Sequence, residues 1–255
     1  MKVTDFSKIA NKYDQNSYRL KEVKWDQDLK DYIDQKPKTK YDVLDLACGT
    51  GIYLQHQMKY FHPINIDWYG LDASEDMLNI AKQKLNNVSF VLGLAENMPY
   101  ESEKFDYIAN NYAFHHFINK EQVLDEVFRV LKKGGIFKLH NIIIHDMKKW
   151  WVYHYFPSAY YEDLKRFWDK EVIFHELLQR GFHVELKIKY KLTQIPLLDY
   201  LNHAENRDIS VLTLINDDEY QEGLEKMLND VKKNPDKTIV NEFAELFCLA
   251  TKRES

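Results

Sequence analysis

The run Val43-Leu44-Asp45-Leu46-Ala47-Cys48-Gly49-Thr50-Gly51 constrains this chain more than any other stretch. An apolar strand pattern ends on a carboxylate, passes two glycines and enters a helical pattern. Glycine accepts positive φ and has no Cβ, so a ligand can lie against bare backbone at such a bend. Strand, glycine turn and helix in that order place a nucleotide-like ligand at the carboxyl edge of a parallel sheet. Taken alone, the run is also compatible with a plain glycine turn between a core strand and a helix.

The residues around the glycines narrow the ligand. A dinucleotide fingerprint needs a third Gly or Ala three residues after the second glycine, so that the helix packs closely and its N-terminus faces a pyrophosphate. That position is Leu54, and Asp45 stands four residues before Gly49. A carboxylate there repels phosphate and suits a cation. A nicotinamide-dependent oxidoreductase is disfavoured on both grounds, although Tyr161 and Lys165 have the Tyr-x-x-x-Lys spacing some such enzymes use for proton transfer. With LDLACGTG as its first motif, the chain resembles the class I S-adenosylmethionine-dependent methyltransferases. The resemblance implies S-adenosyl-L-methionine as cofactor, S-adenosyl-L-homocysteine as product, and Asp45, Ala47, Gly49 and Gly51 as cofactor contacts. An adenosine without phosphate that carries a sulfonium and an α-ammonium group is the kind of ligand an acid-tipped strand attracts.

Further motifs follow in order. Asp72 closes Tyr69-Gly70-Leu71-Asp72, 21 residues after Gly51. A carboxylate at that spacing accepts from both ribose hydroxyls; the segment also precedes a helix, so capping is a second role. Asp72 and its neighbour Ala73 are candidate cofactor residues. In Gly93-Leu94-Ala95-Glu96, Leu94 stands where relatives commonly have an Asp for the adenine amino group, which leaves the Ala95 backbone and Glu96 as candidates. Phe105 to Asn111 runs into Tyr112-Ala113-Phe114-His115-His116. The resemblance places Asn110 and Asn111 beside the α-ammonium group. His115 and His116 are candidate general bases, since histidine titrates near neutral pH, with packing as the alternative role. Val127 to Gly135 matches the family pattern before the fifth strand, and its glycines read as structural. DFSKIANKYD (Asp5 to Asp14) resembles an N-terminal segment in which an aromatic closes over cofactor or substrate, making Tyr13 a candidate contact; an ordinary helix-face tyrosine is the other reading. Tyr155-Phe156-Pro157 and Asp218 to Leu224 are similar to bacterial members of the menaquinone/ubiquinone methyltransferase-like (methyltransferase type 11) group.

Strand-like runs at 41–47, 66–71, 88–92, 105–110 and 136–140 alternate with helical patterns at about 75–85 and 120–132. That alternation is the signature of a parallel sheet covered by helices. The expected architecture is a Rossmann-like, seven-stranded, mostly parallel α/β sheet with helices on both faces. A chain of 255 residues can bury such a core as a single domain. The core sheet is expected at about 40–145, 170–192 and 240–252, with N-terminal helices over 1–36 and helical insertions at about 145–168 and 197–233 as a cover over the substrate. Aromatics crowd the first insertion, where they suit an apolar pocket or simple packing.

A net charge of −5 argues against a nucleic-acid surface. Cys48 and Cys248 show no metal-ligand spacing, so no metal is expected, and they fit a reduced cytoplasmic protein. The polar N-terminus and the lack of an apolar run near ~18 residues argue against a signal peptide or membrane insertion. The expected activity is methyl transfer by in-line displacement to a small-molecule acceptor on O, N, S or C, with positioning as the main source of rate. A protein that binds the cofactor without catalysis, for which Leu94 speaks, is the alternative; acceptor and oligomeric state are not legible.

Overall fold

The computed structural model describes residues 25–254. Tyr13, the Asp5 to Asp14 motif and the helical pattern before residue 25 therefore lie outside the described residues. Helix α1 (Gln27–Gln35) starts at Asp26, whose carboxylate caps the Leu29 N–H at 3.1 Å. It buries Leu29, Tyr32 and Ile33, one face at helical spacing.

Strand β1 (Tyr41–Leu46) leads to α2 (Ile52–Tyr60), β2 (Ile66–Asp72), α3 (Glu75–Lys84), β3 (Val88–Leu92), β4 (Phe105–Asn111), α4 (Lys120–Val130) and β5 (Leu131–Ile142). Then come α5 (Trp151–Tyr155), α6 (Pro157–Leu164), α7 (Lys170–Gln179), β6 (Phe182–Pro196), α8 (Leu198–Glu205), α9 (Asp217–Lys233) and β7 (Thr238–Lys252). The seven strands form one mixed sheet in the order β3-β2-β1-β4-β5-β7-β6. The pairs β1–β2, β2–β3, β1–β4 and β4–β5 are parallel. Chain order reverses between β1 and β4, and crevices at such switch points are where open α/β sheets take ligands.

β1 to β4 lie within one residue of the runs expected from sequence because β1 and β4, buried along almost their whole length, read as short, mostly apolar runs broken by single carboxylates. β5 is longer than expected. Leu131 already pairs with Phe105, the register then shifts, and pairing resumes with Ile136 opposite Tyr107. Gly134, at φ +69°, lies in the shift, so the two glycines sit within the strand as an irregularity and do not precede it. β6 runs to Pro196, past the core segment expected at about 170–192, and β7 begins at Thr238, before the one expected at about 240–252. β6 is an edge strand that alternates apolar and polar residues from Phe182 to Leu192 and loses the alternation from Thr193 to Pro196.

The chain forms two compact units. One comprises Ile142–Lys170 and Lys187–Leu246, which hold both expected insertions; the other contains the described residues up to Asn141, Glu171–Leu186 and the chain from Phe247. In the second unit, Leu29, Tyr41, Val43, Leu54, Leu78 and Tyr107 are part of a common core.

Candidate cofactor site

Asp45, the penultimate residue of β1, lies opposite Gly70 of β2 and Ala109 of β4. It is 3% exposed, and no hydrogen bond to its carboxylate comes from any described residue. Burial raises its pKa well above the ordinary value, and the charge of Asp72 raises it further. A buried carboxylate without a donor is poorly solvated in the free protein and strongly receptive to a cation.

The chain leaves the strand through Ala47 (φ +61°) and Gly49 (φ +52°), both in the left-handed region. For alanine this conformation costs about 1–2 kcal/mol, a strain that recurs at functional turns. Bonds from Cys48 N–H to the Leu71 carbonyl (3.1 Å) and from Gly51 N–H to the Cys48 carbonyl (2.9 Å) fix the turn. Gly51 (φ +77°) begins α2; a Cβ there would lie 3.1 Å from Leu85 Cδ1 and 3.3 Å from Ala81 Cβ. A Cβ on Gly49 would meet nothing within 4 Å. The second glycine thus serves close packing, and the first keeps backbone open.

Asp72 braces this turn from β2. Its Oδ2 accepts from Gly49 N–H and its Oδ1 from Ser74 N–H, both at 2.8 Å. Burial raises its pKa, while the N–H groups of Ser74, Gly49 and Ala73 hold it down. Capping of α3 falls to Ser74, whose hydroxyl accepts from Met77 N–H at 3.4 Å. Ala73 is exposed beside it. The Asp72 carbonyl accepts from Gly93 N–H at 3.0 Å, which brings in the segment after β3. There Ala95 is buried and Leu94 is 60% exposed. Glu96 accepts from the N–H groups of Ile118 and Asn119 at 3.3 and 3.4 Å, and so anchors the chain entering α4.

A clamp on α4, which the sequence reading missed, holds the rest of that segment. Arg129 donates to the carbonyls of Tyr100 (2.7 Å) and Met98 (3.0 Å), and Glu126 accepts from Met98 N–H (2.7 Å) while pairing with Arg129 (2.6 Å). The Glu-x-x-Arg spacing on a helix was its only trace in sequence.

At the carboxyl end of β4, Asn110 is fully buried and donates through Nδ2 to the Leu46 carbonyl at 2.7 Å. Its Oδ1 and the Nδ2 of Asn111 are buried without a partner among the described residues. Tyr112 (φ +53°) turns the chain, and its N–H donates to the His140 carbonyl at 2.7 Å. His115 is buried in a 3-10 turn, Phe114–His116, with Nδ1 3.3 Å from Asn141 Nδ2 and its ring centroid 3.9 Å from that of His116. Asn141 as the neighbour of His115 is a second feature the sequence reading missed.

Asp45, Ala47, Gly49, Gly51, Asp72 and Ala73 therefore belong to one turn system, joined by Asn110 through the end of β1. Glu96 is fastened at the start of α4. Both cysteines are free and buried, and burial pushes the Cys248 thiol up to about 12. Among the described residues, no cluster of three or more His, Cys, Asp or Glu is placed to hold a metal ion.

The open Gly49, the donorless Asp45 carboxylate, the orphaned Asn110 Oδ1 and the second carboxylate of Asp72 fit a cationic nucleoside and would repel a pyrophosphate. The strand order is that of a Rossmann-like domain. A family model described as a methyltransferase domain matches residues 37–181. The chain belongs to that family, as a class I S-adenosylmethionine-dependent methyltransferase of the menaquinone/ubiquinone methyltransferase-like group. The ubiquinone/menaquinone biosynthesis C-methyltransferase of Campylobacter jejuni is 31% identical over 177 residues, covering 58% of this chain and 72% of the relative. A Bacillus halodurans protein solved as a candidate methyltransferase aligns with a TM-score of 0.61 at 22% identity, over 89% of this chain and all of that one. Phosphoethanolamine N-methyltransferase 2 of Haemonchus contortus, solved with S-adenosyl-L-methionine, aligns with a TM-score of 0.59 at 18% identity, over 98% of this chain and 60% of that one. No helix among the described residues is long and apolar enough to cross a membrane.

Proposed function

We propose that the ends of β1, β2 and β4 bind the cofactor through the residues assembled there, and that the enzyme methylates a small aromatic or amphipathic acceptor. The observation that carries the site assignment is the buried carboxylate of Asp45, without a donor among the described residues, beside the open Gly49. Asp45 supplies the negative field for the cationic end of the cofactor. Asn110 Oδ1 accepts from the α-ammonium group, and Asn111 Nδ2 donates to the carboxylate. The backbone of Ala47 and Gly49 would hold the ligand at the turn that Gly51 closes by packing near Leu85 and Ala81, Asp72 and Ala73 would take the ribose, and the Ala95 backbone would read the adenine edge. With Glu96 anchored at α4, adenine recognition falls to that backbone and its apolar neighbours.

When bound, the cofactor supplies a methyl group on a sulfonium, already activated toward displacement. The chain's own work is to hold both partners in line and exclude water. His115, oriented by Asn141, or His116 takes the acceptor proton where the acceptor is protonated. The name of the Campylobacter relative specifies C-methylation in quinone biosynthesis, which supports a ring carbon made nucleophilic by a neighbouring hydroxyl. The chain's −5 net charge supports small-molecule over nucleic-acid partners, and its two free cysteines support a cytoplasmic setting.

The test uses methyl-labelled S-adenosylmethionine with a panel of naphthoquinol, catechol, phenol, thiophenol and a primary amine. Label on a ring carbon of the naphthoquinol is the expected result, and label only on sulfur or nitrogen would overturn the carbon assignment. Calorimetry on Asp72→Ala should show cofactor affinity weakened at least tenfold; unchanged affinity would overturn the site.

A further inference from the structure

The unit made of Ile142–Lys170 and Lys187–Leu246 carries a cleft of its own, about 530 Å³ in volume, lined by Lys148, Lys149, Tyr153, His154, Ile239 and Val240. That volume falls in the range of small-ligand pockets. Both sides of the cleft are held in place. Lys149 N–H donates to Glu242 Oε2 (2.8 Å), Glu242 N–H to the Lys149 carbonyl (3.3 Å), and Trp151 N–H to Asn241 Oδ1 (2.8 Å), which ties the lysine segment to the first residues of β7. Tyr153 packs edge-on against Trp150 and Tyr160, each at 5.1 Å, and its hydroxyl donates to the buried Asp163 at 2.8 Å. Asp163 is in turn paired with the buried Arg166. The aromatic wall is therefore preformed, which lowers the entropy lost on binding.

The charge of the cleft is one-sided. Lys148 and Lys149 are exposed, and neither ammonium group forms an ion pair with a described residue. Burial lowers the pKa of His154, and the charges of Lys226 and Lys237 lower it further against the opposing charge of Asp230. Asp230 is itself engaged by Lys237 (2.7 Å) and the Tyr155 hydroxyl (2.9 Å). The Glu242 carboxylate is taken by Lys149 N–H and the Tyr190 hydroxyl. Among the described residues, Lys148 and Lys149 thus line the cleft with unpaired ammonium groups, while the carboxylates nearby, Asp230 and Glu242, are already engaged, in a chain of net charge −5. Behind the wall, Arg166 Nε and Nη1 are buried without partners among the described residues, so that guanidinium is only partly answered by Asp163. Tyr153, Ile239 and the half-exposed Val240 add apolar surface to this field.

We infer that this cleft binds a small amphipathic anion, its apolar body on Tyr153, Ile239 and Val240 and its phosphate or carboxylate held by Lys148 and Lys149. Lysine binds such groups as a flexible point charge, so charge and apolar area select the ligand more than directional hydrogen bonding does. The site does not depend on the cofactor assignment.

The test is calorimetry on the full chain, saturated with S-adenosylhomocysteine, using three probes on one ring: 1-naphthyl phosphate, 1-naphthoate and 1-naphthol. At least one anion is expected to bind about tenfold or more tighter than the neutral naphthol, and the order of the two anions distinguishes a phosphate site from a carboxylate site. Lys148→Gln with Lys149→Gln is expected to weaken the preferred anion about tenfold and to leave naphthol within about twofold. Its unfolding midpoint should match the parent, since both side chains are exposed; should it not, Val240→Glu gives the same test from the opposite lip, with loss of the anion expected. Equal affinity for anion and naphthol, undiminished anion binding in these variants, or no binding of any probe at millimolar concentration would overturn the inference.

Discussion

Asp42 and Asp45 stand three residues apart on β1 and live opposite lives. At the amino end, Asp42 accepts from Lys104 and Lys132, both at 2.9 Å, and from the Tyr69 hydroxyl at 3.2 Å. Asp106 on the neighbouring β4 accepts from Lys132 (2.7 Å), from Asp42 N–H (2.9 Å) and from Lys38. Burial opposes ionisation of both, but these donors prevail and hold their pKa values below the ordinary range. At the carboxyl end, Asp45 has no donor among the described residues and Asp72 has only backbone; burial prevails and both pKa values rise. One edge of the sheet is finished for stability, and the other keeps buried carboxylates without charged partners among the described residues, which is the edge proposed to take a cationic ligand.

The largest expected effect is at the open turn. Gly49→Val puts a branched side chain into space that is empty in the free protein, at a φ it resists. Cofactor affinity should fall by about a hundredfold or more, well beyond the ~1–2 kcal/mol lost in stability. Titration calorimetry beside thermal unfolding separates the two.

Next comes the finished edge. Asp106→Asn removes the negative charge shared by Lys38 and Lys132 and one of the two oxygens that accept from them; the lysines are 38% and 30% exposed, so water recovers part of the loss. Denaturant titration should show about 1–2 kcal/mol of destabilisation, with cofactor affinity unchanged within about threefold. A large loss of affinity here would erase the distinction between the edges.

The pH dependence should carry opposite signs at the two edges. Asp42 and Asp106 have lowered folded pKa values, so their stabilisation is present above the ordinary carboxylate value of 3.8 and is lost as pH falls through the folded values. Asp45 and Asp72 have raised values, so their contribution is complete below 3.8 and is lost as pH rises through the folded values. The deficit of Asp106→Asn against the parent should therefore shrink in acid, while any gain in Asp45→Asn should appear as pH rises above 3.8; unfolding midpoints across pH check both.

The smallest expected effect is at the clamp. Glu126→Gln keeps the shape but removes the charge that pairs with Arg129 across the surface of α4. A change of about 0.5 kcal/mol in stability and a few-fold rise in the cofactor dissociation constant are expected, measured on the same samples.

Much of the fold around the turn was legible because the cues are local. Short, mostly apolar runs marked β1 and β4, and a carboxylate followed by glycines pointed to a bend where backbone lies open to a ligand. Asp45, Gly49 and Asp72 could be expected to meet because the ends of parallel neighbours come together once strand order is known. The rest depended on register between distant segments. Asn141 meets His115, and Asn111 pairs with His140, only because β5 shifts register near Gly134. Glu96 reads in sequence as a free acid near adenine, yet it accepts from N–H groups more than twenty residues on. The stretches that β6 adds after Leu192 and β7 adds before Asn241 carry no apolar alternation to announce them, and the lysine-lined cleft joins segments about ninety residues apart.

The most direct test of the carboxyl edge is calorimetry of S-adenosylmethionine on Asp45→Asn beside thermal unfolding of the same protein without ligand. Replacing the buried carboxylate by a neutral isostere should weaken binding by about thirtyfold or more and, at neutral pH, stabilise the free protein by about 1 kcal/mol, or ~2–4 °C. Binding within twofold of the parent, or a free protein that loses stability, would contradict it.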